Sequence, residues 1–430
     1  MSLRKIGSLL ILLIGFNAFL DTFFTFERGN FTIRLVPYAF KFLQLFLMLV
    51  IIVYFLSQRA VKIKTEPLFL ILLLFIGDMM VSIAYAGDTV NPTDLARMIF
   101  WVLAGFSVYF LRQADCLDEK VLFRAILFNL GWVCLRILAF KIFHVWIGAE
   151  VRNDETGGFD NDGVVNNLGY SLVWLVPLFL LFESKIRFPV LLTVLFSMVA
   201  SFKRGALLGL ILGFLVYYLL NRRVPGKGKG SLSADLARGL SVVGLGGIGF
   251  LAFKDHIVAR MDDIGGDKSL GSGRGIFYQI VLNHYERFVG MKKIIGAGFF
   301  QVMPMLGLYY ENAIPAHSDW LETLYDQGIV GVSILASIHL LLIYRVLEAA
   351  VKRRPWGPQL AYSYVIFFLA SVYSITLYTF DTTWFGVSLG YYLGTDILLR
   401  GKNAPEPAPE GTGEEAGLSL GEASPYGGKP

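Results

Sequence analysis

A chain of 430 residues is long enough for two or three soluble domains, yet 55% of it is hydrophobic and 17% charged, against roughly 25% charged in soluble globular proteins. Together with a mean hydropathy of +0.60, this excludes a soluble enzyme, a secreted disulfide scaffold and a disordered chain. The net charge of +5 is the kind that marks one face of a membrane protein, so no nucleic-acid partner is expected. The two cysteines, Cys116 and Cys134, and the five histidines form no spaced cluster, so neither a disulfide framework nor a metal site is expected.

Apolar runs about long enough to cross the hydrocarbon core fall near 8–25, 38–56, 67–86, 97–111, 122–145, 168–182, 188–202, 205–220, 236–253, 327–345, 360–380 and 383–399. The expected fold is therefore an all-α polytopic membrane protein of about 12 transmembrane helices. The first run follows Arg4 and Lys5 as a signal peptide would, but no small-residue cleavage site closes it, so a retained anchor is expected. Lys and Arg gather at the N-terminus and in alternate connections: Arg59, Lys62 and Lys64; Arg112 and Lys120; Lys185 and Arg187; Arg222, Arg223, Lys227 and Lys229; Arg345, Lys352, Arg353 and Arg354; Arg400 and Lys402. These connections are expected to be cytoplasmic. Both termini then lie inside, and 87–95, 146–167 and the long loop from about 254 to 326 face outward. Residues 1–402 form one transmembrane domain, and 403–430, rich in Pro, Gly, Glu and Ser, reads as a disordered cytoplasmic tail.

The charge pattern breaks at the outward turn Ser201-Phe202-Lys203-Arg204-Gly205. Its two cations are either snorkelling side chains or an anion site, since Arg offers a planar fork for phosphate and Lys a compact charge. In the long loop, Gly271-Ser272-Gly273-Arg274-Gly275 precedes a stretch with Ile276, Phe277, Ile280, Val281, Phe288 and Val289 at roughly helical spacing. An amphipathic helix lying on the membrane surface is expected there, with its positive N-terminal end near Arg274.

Ala316-His317-Ser318-Asp319-Trp320 leads into the tenth run. His317 is the histidine placed to accept a proton near neutral pH. The other four, His144, His256, His284 and His339, read as structural. Asp381, in Phe380-Asp381-Thr382-Thr383-Trp384, orients a histidine, holds an acceptor or caps the last helix. Asp78 and Arg136 lie inside apolar runs, where a charge costs roughly 2.5–3.5 kcal/mol on insertion scales, so a structural pair between them is expected.

The ordered set Lys203-Arg204-Gly205, Ser272-Gly273-Arg274, Gly296-Ala297-Gly298-Phe299 and His317 with Gly328 and Gly331, preceded by Gly158-Phe159 and Asn167-Leu168, resembles the O-antigen ligase and polymerase superfamily of bacterial envelope glycosyltransferases. The resemblance implies a GT-C-like enzyme of the inner membrane with its site facing the periplasm. The donor would be a glycan on undecaprenyl diphosphate, and the acceptor a hydroxyl of lipid A-core. It further implies that Arg204 and Arg274 neutralise the diphosphate leaving group and that His317 activates the acceptor, with inversion and with no metal or cofactor. Lys203, Ser272, Asp319 and Asp381 are the expected substrate contacts. The chain departs from the family pattern at Ser318-Asp319-Trp320, where His-Asn and an aromatic are usual, and at Asp326, where the family has Glu.

An O-antigen or exopolysaccharide polymerase, which extends a lipid-linked glycan, is the alternative within the superfamily. A lipid-linked glycan flippase or transporter is the alternative outside it. A transporter places its ionisable groups near mid-membrane between repeats, whereas Arg204, Arg274 and His317 gather at one face.

Overall fold

A computed structural model describes residues 2–24, 31–58, 66–86, 92–148, 161–201, 203–224, 274–310, 315–374, 377 and 382–402. The described residues form fourteen helices. They are α1 (Leu3–Phe24), α2 (Phe31–Ser57), α3 (Pro67–Ala86), α4 (Pro92–Gln113), α5 (Glu119–Phe143), α6 (Asn161–Phe179), α7 (Arg187–Ala200), α8 (Arg204–Asn221), α9 (Arg274–Glu286), α10 (Met291–Ile295), α11 (Val302–Gly307), α12 (Asp319–Val351), α13 (Gly357–Tyr373) and α14 (Thr383–Lys402).

Every expected span but the ninth coincides with a helix; the ninth, 236–253, and the tail from 403 lie outside the described residues. Six helices, α1 to α5 and α12, are long and apolar enough to cross a membrane, and α6, α7 and α8 are shorter apolar helices. The chain is thus a multi-pass, all-α membrane protein. The side chains agree with a lipid solvent: α2 exposes Phe42, Phe46, Leu49 and Val53, and α3 exposes Leu70, Leu73, Leu74, Met80 and Val81, while Leu68, Phe69, Leu72 and Phe75 of α3 are buried. A helix that is apolar all round faces protein on one side and acyl chains on the other.

Between apolar helices in lipid, association rests on close packing rather than on the hydrophobic effect, and small residues permit it. The closest seam joins α4 to α14. Gly386, Gly390 and Gly394 recur every four residues along one face of α14. A methyl added at Gly386 would lie 2.0 Å from Trp101 O, one at Gly390 2.2 Å from Gly105 O, and one at Gly394 2.8 Å from Tyr109 O. Beside this seam Phe385 stacks on Phe367 of α13 with centroids 4.4 Å apart and meets Trp101 and Trp174 at 5.9 and 5.5 Å. That aromatic knot joins α4, α6, α13 and α14.

Polar groups inside the bundle are mostly paired locally. Asn17 and Gln44 exchange amide hydrogen bonds of 3.1 and 2.6 Å between α1 and α2, and Lys41 reaches Asp21 at 3.0 Å. The expected Asp78–Arg136 pair does not form. Arg136 Nε donates to Ile147 O at 3.2 Å with its guanidinium over the Trp146 ring at 5.6 Å, while Asp78 Oδ2 is buried without a hydrogen-bond partner. The connection after α5 supplies Arg136 with a carbonyl and a ring, which serve a guanidinium without a second buried charge.

At one end of the bundle, Glu348 accepts from Arg345 at 2.6 Å and Lys352 at 2.5 Å, Arg345 also binds Glu66, and Arg400 and Arg354 bind Asp396 at 2.5 and 3.1 Å. The basic residues that the sequence groups on one face are therefore held together at one end of α12 and α14.

The glycine seam yields a stability prediction. Gly386→Ala and Gly390→Ala each force a methyl into backbone and are expected to destabilise the folded protein by about 1–3 kcal/mol. Gly131→Ala, at a helical position of α5 with nothing within 4 Å, should be neutral or stabilise by up to about 1 kcal/mol. Thermal unfolding of the three variants in detergent checks the contrast.

Candidate functional site

The end of the bundle opposite the ion network gathers the sequence-predicted cations and the histidine. Lys203 is the N-cap of α8 and Arg204 its first residue, and Arg274 is the first residue of α9. Neither helix has an acid in its first turn, and Lys203 makes no side-chain capping bond. A helix N-terminus carries partial positive charge and normally attracts acids. Two helix starts carry cations instead, with Lys203 and Arg204 at α8 and Arg274 at α9.

Packing sets where these groups point. Lys203 Nζ donates to Asn167 Oδ1 at 2.8 Å and lies 5.5 Å from the Tyr170 ring, so α6 holds the turn before α8. The glycine of Lys203-Arg204-Gly205 lies close to the same tyrosine, since a methyl at Gly205 would sit 2.5 Å from Tyr170 Oη and displace that hydroxyl. Arg274 Nη1 donates to Tyr373 O, at the end of α13, at 2.8 Å.

His317 sits just before α12 with φ of +58°, a left-handed conformation rare for a residue with a β-carbon. Its surroundings hold it there. Ala316 N donates to Glu322 Oε1 at 2.6 Å, and Tyr278 Oη makes a long contact of 3.4 Å to His317 O. Burial, and then the positive charges of Arg274 and Lys203, push the His317 imidazole down to about 4. The α8, α9 and α12 starts therefore share one electrostatic environment, in which His317 is neutral at physiological pH with a lone pair to offer.

Asp319, at the first position of α12, is fully buried, and its Oδ1 accepts from Leu377 N at 3.2 Å. It ties the segment between α13 and α14 to the start of α12. Ser272 and Asp381 lie outside the described residues, and Arg204 is described by its backbone alone.

The sequence reading assigned no role to Asp326, yet it organises the loop that carries α9 to α11. Its Oδ2 accepts from Phe300 N at 2.7 Å and its Oδ1 from Gln301 N at 3.0 Å. Its carbonyl accepts from Gly298 N at 3.1 Å and from Ser82 of α3, and the Tyr325 carbonyl accepts from Ala297 N at 2.8 Å. Just beyond, Gly328 leaves the helical conformation with φ of +65° and ψ of −157° inside α12. A methyl there would lie 2.4 Å from Ile294 O, and one at Gly296 2.2 Å from the Asp326 carbonyl. The two glycines mark a backbone-on-backbone contact. The signal was present in the spacing of Asp326 and Gly328, but the partner strip at 296–301 is supplied by tertiary structure.

Removing the clamp should be visible without any substrate. Asp326→Ala leaves the Phe300 and Gln301 N–H groups without their acceptor, at about 1–3 kcal/mol for each group left buried and unpaired. Hydrogen–deuterium exchange is expected to rise at residues 297–301 while α4 and α14 stay protected, and unchanged exchange would contradict the assignment.

No known protein family matches this chain, and no curated protein matches it closely enough to count as a relative.

Proposed function

We propose that this protein is a membrane glycosyltransferase that moves a glycan from undecaprenyl diphosphate to an acceptor hydroxyl, with lipid A-core as the acceptor, as the resemblance to O-antigen ligases implies. The observation that carries the reading is the convergence of two cation-led helix starts on one neutral histidine at a single end of the bundle.

The chemistry needs few parts. The acceptor oxygen attacks the anomeric carbon as His317 takes the hydroxyl proton. The bond from that carbon to the diphosphate oxygen breaks on the opposite face, and the diphosphate leaves with the electron pair. Configuration inverts. A diphosphate needs charge stabilisation as it departs, and fixed cations in a site with little water supply it. Arg274 and Arg204 take that role, with Lys203 beside them and the N–H groups of α8 and α9 behind. The active end faces the periplasm in this reading, and the ion network around Glu348 faces the cytoplasm.

Donor binding also tunes the base. Burial is the largest cause of the lowering of His317, but an anion beside Arg274 and Lys203 offsets the part due to their charges, so the imidazole becomes more basic when the leaving group is in place, closer to the best value for proton transfer near neutral pH. Because the neutral form is the active one, activity should persist as pH falls through 6.5. The acid limb of kcat/KM, which reports the free enzyme, is expected near pH 4, and the acid limb of kcat at a higher pH. Coincident limbs near 6.5 would contradict the assigned environment.

Reconstitution tests the reading directly. Purified protein with undecaprenyl-diphosphate glycan and lipid A-core should give glycosylated lipid A-core. A ladder of longer lipid-linked glycans from donor alone would mean a polymerase, and movement of the donor across the bilayer without bond formation would mean a transporter. His317→Ala is expected to lower turnover by about 10²–10⁴-fold and Arg274→Ala by about 10²–10³-fold, with both variants inserted and folded. Activity should survive chelator. Strict dependence on Mg²⁺ or Mn²⁺ would move the charge stabilisation to an ion and direct attention to Asp160-Asn161-Asp162, whose last two residues open α6.

A further inference from the structure

The sequence places α9 on the membrane surface, and part of its apolar side is occupied within the protein. Val281, Tyr285 and Phe288 are buried in a small cluster with Val302, Met305 and Leu306 of α11. Ile276 and Leu282 of α9 stay exposed, and further uncovered apolar groups lie just after it, in the turn and short helix α10, where Val289 is 81% exposed, Met291 53% and Ile294 44%. Charged neighbours in this segment are Glu286, Arg287, Lys292 and Lys293, all exposed, so positive charge is in excess.

The fold fixes the depth of this segment. The 20 residues of α3 span about 30 Å, the thickness of the hydrocarbon core, so Ala86 marks one boundary, with the exposed Tyr85 at the interfacial level that Tyr favours. Ser82 is four residues, about 6 Å, inside that boundary, and its hydroxyl binds the Asp326 carbonyl. Gly328, next to that point on α12, lies against Ile294 O. The backbone of α10 is therefore level with the last turn of α3 and does not stand above the bilayer in water.

We propose that residues 287–295 form an interfacial anchor, in which Val289, Met291 and Ile294 enter the acyl boundary of the bilayer while Arg287, Lys292 and Lys293 meet the phosphates of anionic phospholipid. Lys292 already has the required posture. Its Nζ lies 4.6 Å from the Phe288 ring centre, so the stem runs along apolar surface with the ammonium at an aromatic face. Apolar insertion and paired cations reinforce one another at such an interface. The assignment rests on depth, exposure and charge, and is independent of the glycan chemistry. If that chemistry holds, the anchor also sets the height of Arg274 relative to a lipid-borne donor.

Site-specific quenching tests it. In a Cys116→Ser/Cys134→Ala background, single variants Val289→Cys, Met291→Cys and, as a control on the exposed surface of α9, Asn283→Cys carry a nitrobenzoxadiazole label in lipid nanodiscs. Labels at 289 and 291 are expected to be quenched by lipids bearing a nitroxide high on the acyl chain and shielded from aqueous iodide, with the reverse at 283. In discs containing phosphatidylglycerol, Lys292→Glu/Lys293→Glu should cut the lipid preference of the 289 label on the order of tenfold. Iodide quenching at 289 equal to that at 283 would overturn the anchor. So would shielding from both quenchers, because a second copy or another part of the chain would then cover the patch. Insensitivity to charge reversal would overturn the anionic-lipid assignment.

Discussion

A helix that breaks inside an apolar bundle leaves backbone carbonyls that lipid cannot satisfy, and irregular backbone at that depth persists only where protein supplies the missing partners. Much of this protein's functional end follows from how that demand is met at Gly328. The carbonyls of Tyr325 and Asp326 accept N–H groups from Ala297 and Gly298, and the Asp326 carboxylate accepts those of Phe300 and Gln301. One strip of backbone thereby completes the broken helix and is itself held at membrane depth. Because α9 and α11 pack on either side of that strip through a shared cluster, the break in α12 also fixes the loop that carries Arg274.

The electrostatics of the site run against ordinary helix design. Acids are favoured at helix starts, and α12 follows the rule with Asp319 and Glu322 in its first turn. α8 and α9 invert it with Lys203, Arg204 and Arg274. Neither helix offsets the inversion with an acid in its first turn. His317 feels the same charges, since burial first and then Arg274 and Lys203 lower its proton affinity.

The two ends of the bundle use charge differently. Around Glu66, Glu348 and Asp396, carboxylates and guanidiniums are matched and pin α3, α12 and α14 together. Around His317, Arg274 donates to the Tyr373 carbonyl and Lys203 to the Asn167 amide, which orient the two cations. The first arrangement joins helices, and the second sets where the cations sit.

Hydrophobic periodicity located nearly every helix, because twenty apolar residues in lipid have no other way to satisfy their backbone. The misplaced cations singled out Lys203, Arg204 and Arg274 for the same reason, since nothing local explains a charge on the wrong face. What could not be read along the chain were relations between distant segments. The Asp78–Arg136 pair looked sound as chemistry but failed because the connection after α5 brings Ile147 and Trp146 to Arg136. The sequence also could not show that α9 packs Val281 and Tyr285 into a cluster with α11 while Ile276 and Leu282 of the same helix stay exposed. The sequence alone thus determined the solvent of this protein, the kind and place of its long apolar helices and the residues whose charge needs explaining. Tertiary structure alone decided that a broken helix borrows its hydrogen bonds from a strip some thirty residues away, and that three separate helix starts share one field. Both depend on through-space distances of a few ångströms, which sequence spacing does not encode.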